Sequence, residues 1–567
     1  MGNEDNVRRS RISRRQFLLV SAAAGMAGAL AACTPAAPAS PTAAPKPAAT
    51  TAPAATTAPA PAPTTAPAPA ATQAPAKAGP KKDLVYGSFG GDPGNLSPVI
   101  RWDISAGIVM NNIFDNLVWP NYKTRQMEPM LAESWKSIDP LSWQIKMREG
   151  VQWHKNYGEV TAEDLVYTWQ YHLDSKSFQV STALFPIDSM KVVSKYVAEI
   201  KLKQPFSAFP GVTMGYAGMM IPKKAHEEMG AEKFSRNPVG SGPFVFDSIV
   251  GKDIVVKKNA TYWQKDKGLP YLEQVVFRSV PDSHVRLQSL QKGELDFISH
   301  PDAKDVASAR SDANLVYIST PGWNWDYQCF NFTNFVAADI PFRKKEVRQA
   351  ISYAIDREAI QKEIYYGEAT ITDSPIPEGF LGYRPGPIRY PKNGDLKKAK
   401  DLMAQAGVKG YEVEVITSDK DWLRRETELI AAMVSQIGIT YKMKGMDIGS
   451  YNNVWLNNQY QQLSEDITIV SPDADATVWW FNHSKGSNAS GYNVPAMDKM
   501  LDDARAESDA TKRDALYKQV VDLTLEDCAK IYHVHVNYVR LHKKGLTGFE
   551  PSPQEYVEIF RNVQWQS

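Results

Sequence analysis

Two short segments carry side chains that could grip a small molecule. In Gly322-Trp323-Asn324-Trp325-Asp326-Tyr327, two tryptophans and a tyrosine fall at alternate positions. That spacing puts all three rings on one face of an extended chain. Such a face can cover the apolar or sugar surface of a ligand, or pack beneath the fold, since large aromatics serve both ends. Trp479-Trp480-Phe481 carries the same ambiguity, and adjacent residues cannot share a face, so one of its tryptophans would reach a ligand. Just upstream, Ser471-Pro472-Asp473-Ala474-Asp475-Ala476 supplies two carboxylates. The patterns expected of an enzyme do not occur: there is no GxSxG elbow, Walker loop or GxGxxG fingerprint. His226-Glu227-Glu228-Met229-Gly230 begins like a zinc-protease helix but has glycine where the second histidine ligand must stand. His533 and His535 share one face of a predicted strand, with no third ligand nearby, so hydrogen-bonded strand histidines are a better reading than a metal pair. No cofactor is implied.

The N-terminus says where such a molecule would be met. Arg8, Arg9, Arg11, Arg14 and Arg15 form a cationic head before an apolar core from Phe17 to Leu30. That core is shorter than the ~20 residues a membrane-spanning helix needs and has the layout of an export signal. An uncleaved anchor helix is the alternative. Ser13-Arg14-Arg15-Gln16-Phe17-Leu18 resembles a twin-arginine signal, although Leu19 stands where that pattern often has lysine. Leu30-Ala31-Ala32-Cys33 resembles a bacterial lipoprotein box, which implies lipid attachment at Cys33, the first residue of the mature chain. From Thr34 to Lys82 the chain is almost wholly Ala, Pro and Thr. It cannot bury enough apolar surface to fold and reads as a semi-extended tether.

Without residues 1–32 the net charge falls from +1 to −2, and the body from Asp83 onward stands at −6. A mildly acidic body argues against nucleic acid as a partner. Only Cys329 and Cys528 remain in it, too few for a disulfide framework, and buried free thiols fit better than a pair. Its 485 residues exceed what one core usually supports, so two or three lobes are expected. The elements are mixed. Asp83–Ser88, Ile254–Val256, Val275–Phe277 and the alternating Ile531–Val539 read as strands. Thr161-Ala162-Glu163-Asp164 resembles a capping box opening a helix through Trp169. Ser283–Gln291, Arg343–Tyr365, Leu396–Ala406, Trp422–Ile437 and Thr511–Asp527 read as helices, three of them stopped by Gly293, Gly407 and Gly438.

In their order, several segments are similar to those of bacterial extracytoplasmic solute-binding proteins of family 5, the oligopeptide, dipeptide and nickel receptors of ATP-driven importers. They include Glu128-Pro129-Met130-Leu131-Ala132-Glu133-Ser134-Trp135, Ile145 to His154, and Thr161 to Tyr167. Val239-Gly240-Ser241-Gly242-Pro243-Phe244, Asn259-Ala260-Thr261-Tyr262-Trp263 and Val347 to Arg357 continue the series. The resemblance implies an α/β (mixed α+β) clamshell like that of periplasmic binding proteins, with an extra inserted lobe. Lobe I would comprise 83–122, 237–320 and 531–567, lobe II 123–236, and lobe III 321–530, with 1–32 as signal and 33–82 as tether.

It also implies a cleft between lobes I and III, with Trp323, Asn324, Trp325, Asp473, Asp475, Trp479, Tyr492 and Asn493 as contacts. Asp473 matches the aspartate before the family's proline. Three positions earlier, where peptide-binding members place the aspartate that pairs with the peptide amino group, this chain has Val470. Either Asp473 or Asp475 takes over that task, or the ligand is not an ordinary free peptide, because a buried ammonium without a counter-charge is strongly unfavourable. The leading expectation is a monomeric, membrane-tethered receptor for an oligopeptide, working with an ABC permease and separate ATPase subunits. An oligosaccharide is the second reading, suggested by the 14 tryptophans and by Val470. An extracytoplasmic hydrolase and a sensor that imports nothing stand behind these.

Overall fold

The computed structural model describes residues 82–88, 95–100, 104–175, 183–184, 186–468, 471–486 and 490–566. The signal, Cys33, the tether and Val470 lie outside the described residues.

Strand β1 (Asp83–Ser88) is followed by a small ribbon, β2 (Val118–Pro120) with β3 (Met127–Pro129). Next, β4 (Ala132–Asp139), β5 (Ser142–Met147), β6 (Ile187–Ser194) and β7 (Val197–Leu202) form a separate antiparallel sheet in the order β4-β5-β7-β6. β8 (Phe244–Val250), β9 (Asp253–Lys258), β10 (Gln274–Ser279), β11 (Phe297–Ser299), β12 (Leu315–Pro321) and β13 (Asn324–Phe330) return to the sheet begun by β1. β14 (Ala369–Ile371), β15 (Tyr411–Ser418), β16 (Ile439–Met446), β17 (Gln462–Thr468) and β18 (Lys530–Lys543) extend it, and β19 (Leu546–Thr547) pairs with β20 (Gln564–Trp565) near the end.

The main sheet has 12 strands, in the order β16-β15-β17-β13-β18-β11-β1-β10-β9-β8, with β12 and β14 also on β18. β18 holds its two halves together. The first half pairs with β13 and β14, as in Gln328↔Ile531, and the second with β11 and β12, as in Ile318↔Arg540. The alternation seen in Ile531–Val539 thus marks a strand whose two faces are both covered, with Ile531, Val534 and Leu541 essentially inaccessible. On one half β1 runs parallel to β10 and β11; on the other β15 runs parallel to β16 and β17. Carboxyl ends of parallel strands are where open α/β sheets leave room for ligands.

Most predicted elements fall within a few residues of those observed, with two instructive differences. The expected helix from Arg343 to Tyr365 is two helices, Lys345–Ala354 and Arg357–Glu363. Asp356 divides them: its carboxylate accepts from Ala359 N at 2.9 Å and starts the second helix. At Thr161 the capping works the other way round. The hydroxyl donates to Asp164 at 3.1 Å, whose same oxygen also accepts from Thr161 N at 3.0 Å, and the helix runs to Ser175. Cys329 and Cys528 are both buried and free.

Candidate functional site

β15 ends in Ser418, and the helix Asp421–Ser435 begins three residues on, so Lys420 sits at a strand's carboxyl edge. Beside it β17 presents Asp466, whose two oxygens accept from Lys420 Nζ at 2.7 and 2.9 Å. Opposite these, His300, Pro301 and Asp302 follow β11 directly. Between the two edges lies a cavity of about 310 Å³. Its walls are His300, Asp302 and Val306 on one side and Trp422, Arg425 and Asp466 on the other. Asn324 and Asp326 of β13, with Val536 to Val539 of β18, form its floor.

The electrostatics are lopsided. Asp302, Asp326, Glu368, Asp421, Asp466 and Glu555 all border the cavity, against Arg425. Several are occupied. Glu368 accepts from Tyr317 at 2.5 Å and Ser319 at 2.6 Å, and Asp421 holds Arg425 at 3.0 Å. Asp326 is buried, and burial, then the charges of Glu426 and Asp466, push its carboxyl well above the usual range. Its partner Tyr365 also donates to Glu426 at 2.7 Å. Burial pulls the Lys420 ammonium down, but Asp466 and Glu555 more than offset this and keep it charged. His300 is held neutral: burial, with Arg540 and Arg286 nearby, lowers it to about 3. The Asn537 side-chain oxygen is buried with no hydrogen-bond donor, an acceptor open to a ligand N–H.

Seven of the eight expected contact residues lie away from this cavity, and their positions have plain physical reasons. The ring-bearing face of β13 turns into an aromatic core. Trp323 meets Phe380 and Tyr122 edge-on at 5.0 and 5.6 Å, and Trp325 meets Phe481 at 5.3 Å. Strand alternation then sends Asn324 to the cavity side, where its amide is bound both ways to Val536, donating at 2.9 Å and accepting at 2.7 Å. Asp475 is fully buried and holds Arg505 through both oxygens at 2.6 and 2.8 Å. Asp473 accepts from Arg513 at 2.8 and 3.1 Å. The Arg505 guanidinium lies 3.5 Å from the ring centre of Trp479. Asp473, Asp475 and Trp479 are thus brought together, around two arginines. Tyr492 donates to Asp527 at 2.6 Å, and Asn493 is exposed. The strand histidines have separate partners, His533 with Glu426 at 2.7 Å and His535 with the carbonyl of Asn324.

Lys420, Trp422, Arg425, Asp466 and His300 were not singled out from sequence. The available signal was the alternating Tyr-Glu-Val-Glu-Val-Ile of β15, which makes the charged run behind it the end of a parallel strand.

Glu465, beside Asp466, gives the site a pH signature. Burial, then the Asp466 charge, pushes its carboxyl up to about 8, so folding retains a proton that the unfolded chain releases near pH ~4.3. Stability from this group is therefore complete at low pH and is lost as pH rises toward 8. Between pH 7 and 8, Glu465→Gln should flatten the decline in unfolding free energy by up to about 1.4 kcal/mol per pH unit. Equal slopes for the two proteins in urea titrations would contradict this.

Comparison with known proteins gives three findings. The profile for bacterial extracellular solute-binding proteins, family 5 middle, matches residues 126–489. Among curated relatives, the dipeptide-binding protein of Escherichia coli (strain K12) is 26% identical over 506 residues, covering 83% of this chain and 92% of its own. Heme-binding protein A of Haemophilus influenzae is 27% identical over 482 residues, covering 79% and 84%. Among solved structures, the ABC transporter-associated periplasmic binding protein DppA from Helicobacter pylori, in complex with the peptide STSA, superposes with a TM-score of 0.74. It is 23% identical and covers 86% of this chain and 99% of its own.

Proposed function

Since the chain belongs to the bacterial extracellular solute-binding proteins of family 5, we propose that it captures a short peptide and passes it, unaltered, to the permease of an ATP-driven importer. The two relatives named above are called after different guests, a dipeptide and heme, so the choice rests on the cavity. The observation that carries it is the pairing of an acidic wall with a cation, Arg425, on the facing side. Asp302, Glu555 and the unmet acceptor of Asn537 suit an ammonium group, while Arg425 suits a carboxylate, with Lys420 behind the wall on Asp466. A zwitterion fits both. The volume, about 310 Å³, is at the small end for ligand pockets and favours a di- or tripeptide over a longer chain. The tryptophans that suggested a sugar, Trp323 and Trp325, are enclosed by other side chains.

In this reading the lobes 83–122, 237–320 and 531–567 close on 321–530, with 123–236 as an inserted lobe. Ligand favours the closed form only to the extent that it binds that form better than the open one. ATP hydrolysis belongs to a separate subunit, no bond of the guest is broken, and the receptor works as a monomer. A lipid on Cys33 and the Ala/Pro/Thr tether would keep it at the outer face of a membrane, although one acyl chain alone anchors only marginally.

Calorimetry with dipeptides tests the assignment. N-acetylation and C-amidation should each weaken binding by about tenfold or more, as expected when a buried charge loses its partner. Undiminished binding of doubly capped peptides would end the peptide reading.

A further inference from the structure

A second cavity, of about 440 Å³, opens elsewhere on the body, and its chemistry is opposite to that of the peptide site. Arg148, Arg561 and Lys267 line it, with Trp263 and Asn562, against one carboxylate, Glu128. Glu128 already accepts from Asn121 at 2.8 Å. The two guanidiniums are fixed in place by neutral partners. Arg148 Nε donates to the carbonyl of Met130 at 2.8 Å, and its guanidinium lies 4.5 Å from the ring centre of Trp263. Arg561 touches Met130 sulfur at 4.0 Å and is a hydrogen-bond partner of Tyr262. No ion pair engages either arginine among the described residues. Asp115, buried beneath Trp263 and Tyr262, accepts from both, at 2.8 and 3.2 Å; it does not line the cavity, and its charge is felt by both arginines without a direct ion pair.

Two planar guanidiniums and an ammonium around one open space, with their N–H groups unspent on carboxylates, form an oxyanion receptor. We propose that this cavity binds a phosphate-bearing group. Its position favours the headgroup of an anionic phospholipid as the source. The carbonyl of Lys82 accepts from Glu273 N at 2.9 Å, and the next carbonyl, of Asp83, accepts from Trp565 at 2.9 Å. Leu269 and Asn562 of the cavity precede Glu273 and Trp565 by four and three residues. Lys82, the last residue of the Ala/Pro/Thr-rich segment, is thus bonded to the chain segments that build this site. The lipid source rests on the anchoring proposed for Cys33; the oxyanion site does not.

The test uses the chain from residue 33 onward carrying Cys33→Ser, so that neither an acyl group nor the cationic, apolar N-terminal segment contributes. One arm titrates inorganic phosphate by calorimetry in phosphate-free buffer. The other measures co-sedimentation with phosphatidylcholine vesicles with and without phosphatidylglycerol. Binding to the phosphatidylglycerol vesicles that falls about fivefold for each cation removed, in Arg561→Gln and in Lys267→Gln, supports the site with lipid as its source. Phosphate binding that falls in the same variants, without vesicle binding, supports the site with a free anion as its source. Failure of the parent protein to bind either probe, or binding that neither variant changes, overturns the proposal. Lys267 is exposed, so its variant stays informative even where Arg561→Gln disturbs Tyr262 and Asp115. Dipeptide affinity, measured on the same samples, reports separately on the peptide site.

Discussion

Lys420→Met should weaken dipeptide binding by about 10- to 100-fold and leave the protein folded. Lys420 stands behind the cavity wall, where both oxygens of the wall residue Asp466 hold it, and its charge supports that of Arg425 toward a peptide carboxylate. Truncating one member of a buried, hydrogen-bonded charge pair costs ~2–5 kcal/mol. Here the side chains are 34% and 20% exposed, so solvent takes over part of the loss and the low end applies. Calorimetry on the variant measures it, and a C-amidated dipeptide supplies the control. The amide should bind parent and variant alike, since it carries no carboxylate for the ammonium to attract. An equal loss for acid and amide would show that Lys420 acts through structure and not through the ligand.

Arg505→Ala should have the largest effect on stability of any single change discussed. The Arg505–Asp475 pair is almost completely excluded from water, with side chains 1% and 0% exposed. Removing the arginine strands a buried carboxylate, which costs ~3–5 kcal/mol. It also removes the cation that lies against the Trp479 ring. Urea unfolding should record the whole of this loss, while dipeptide affinity of the folded protein stays within about twofold of the parent, a difference below RT. The double change Arg505→Met with Asp475→Leu should recover much of the stability, because a well-packed apolar pair can replace a buried ion pair. A weak Arg505→Ala phenotype on folding with strong loss of binding would return Asp475 to the ligand.

How far the sequence could be read follows from what each signal reports. Ordered motifs gave the family and the clamshell class, because turns, caps and buried helix faces repeat wherever the scaffold does. Asp356 shows the limit within one element: the apolar spacing of Val347, Ala350, Ile351 and Ile355 continues past it, but its carboxylate caps a new helix and breaks the old one. The site was harder. Alternation correctly grouped Trp323, Trp325 and Tyr327 on one face, yet period alone does not say which face of a strand is solvated. Partners distant in sequence decide that, and here Phe380, Phe481 and Tyr532 close over the rings. Asp473 and Asp475 were plausible ammonium partners until Arg505 and Arg513, 30 and 40 residues on, engaged them. Lys420 and Asp466 lie 46 residues apart and meet only because β15 and β17 are neighbours in the sheet.

The most direct test of the account is a crystal structure of the protein grown with a dipeptide. The peptide should be found intact between His300–Val306 and Trp422–Arg425, its carboxylate toward Arg425 and the Lys420–Asp466 pair and its amino group toward Glu555 and Asn537. A peptide seated against the Trp323 and Trp325 rings, or one recovered as free amino acids, would contradict it.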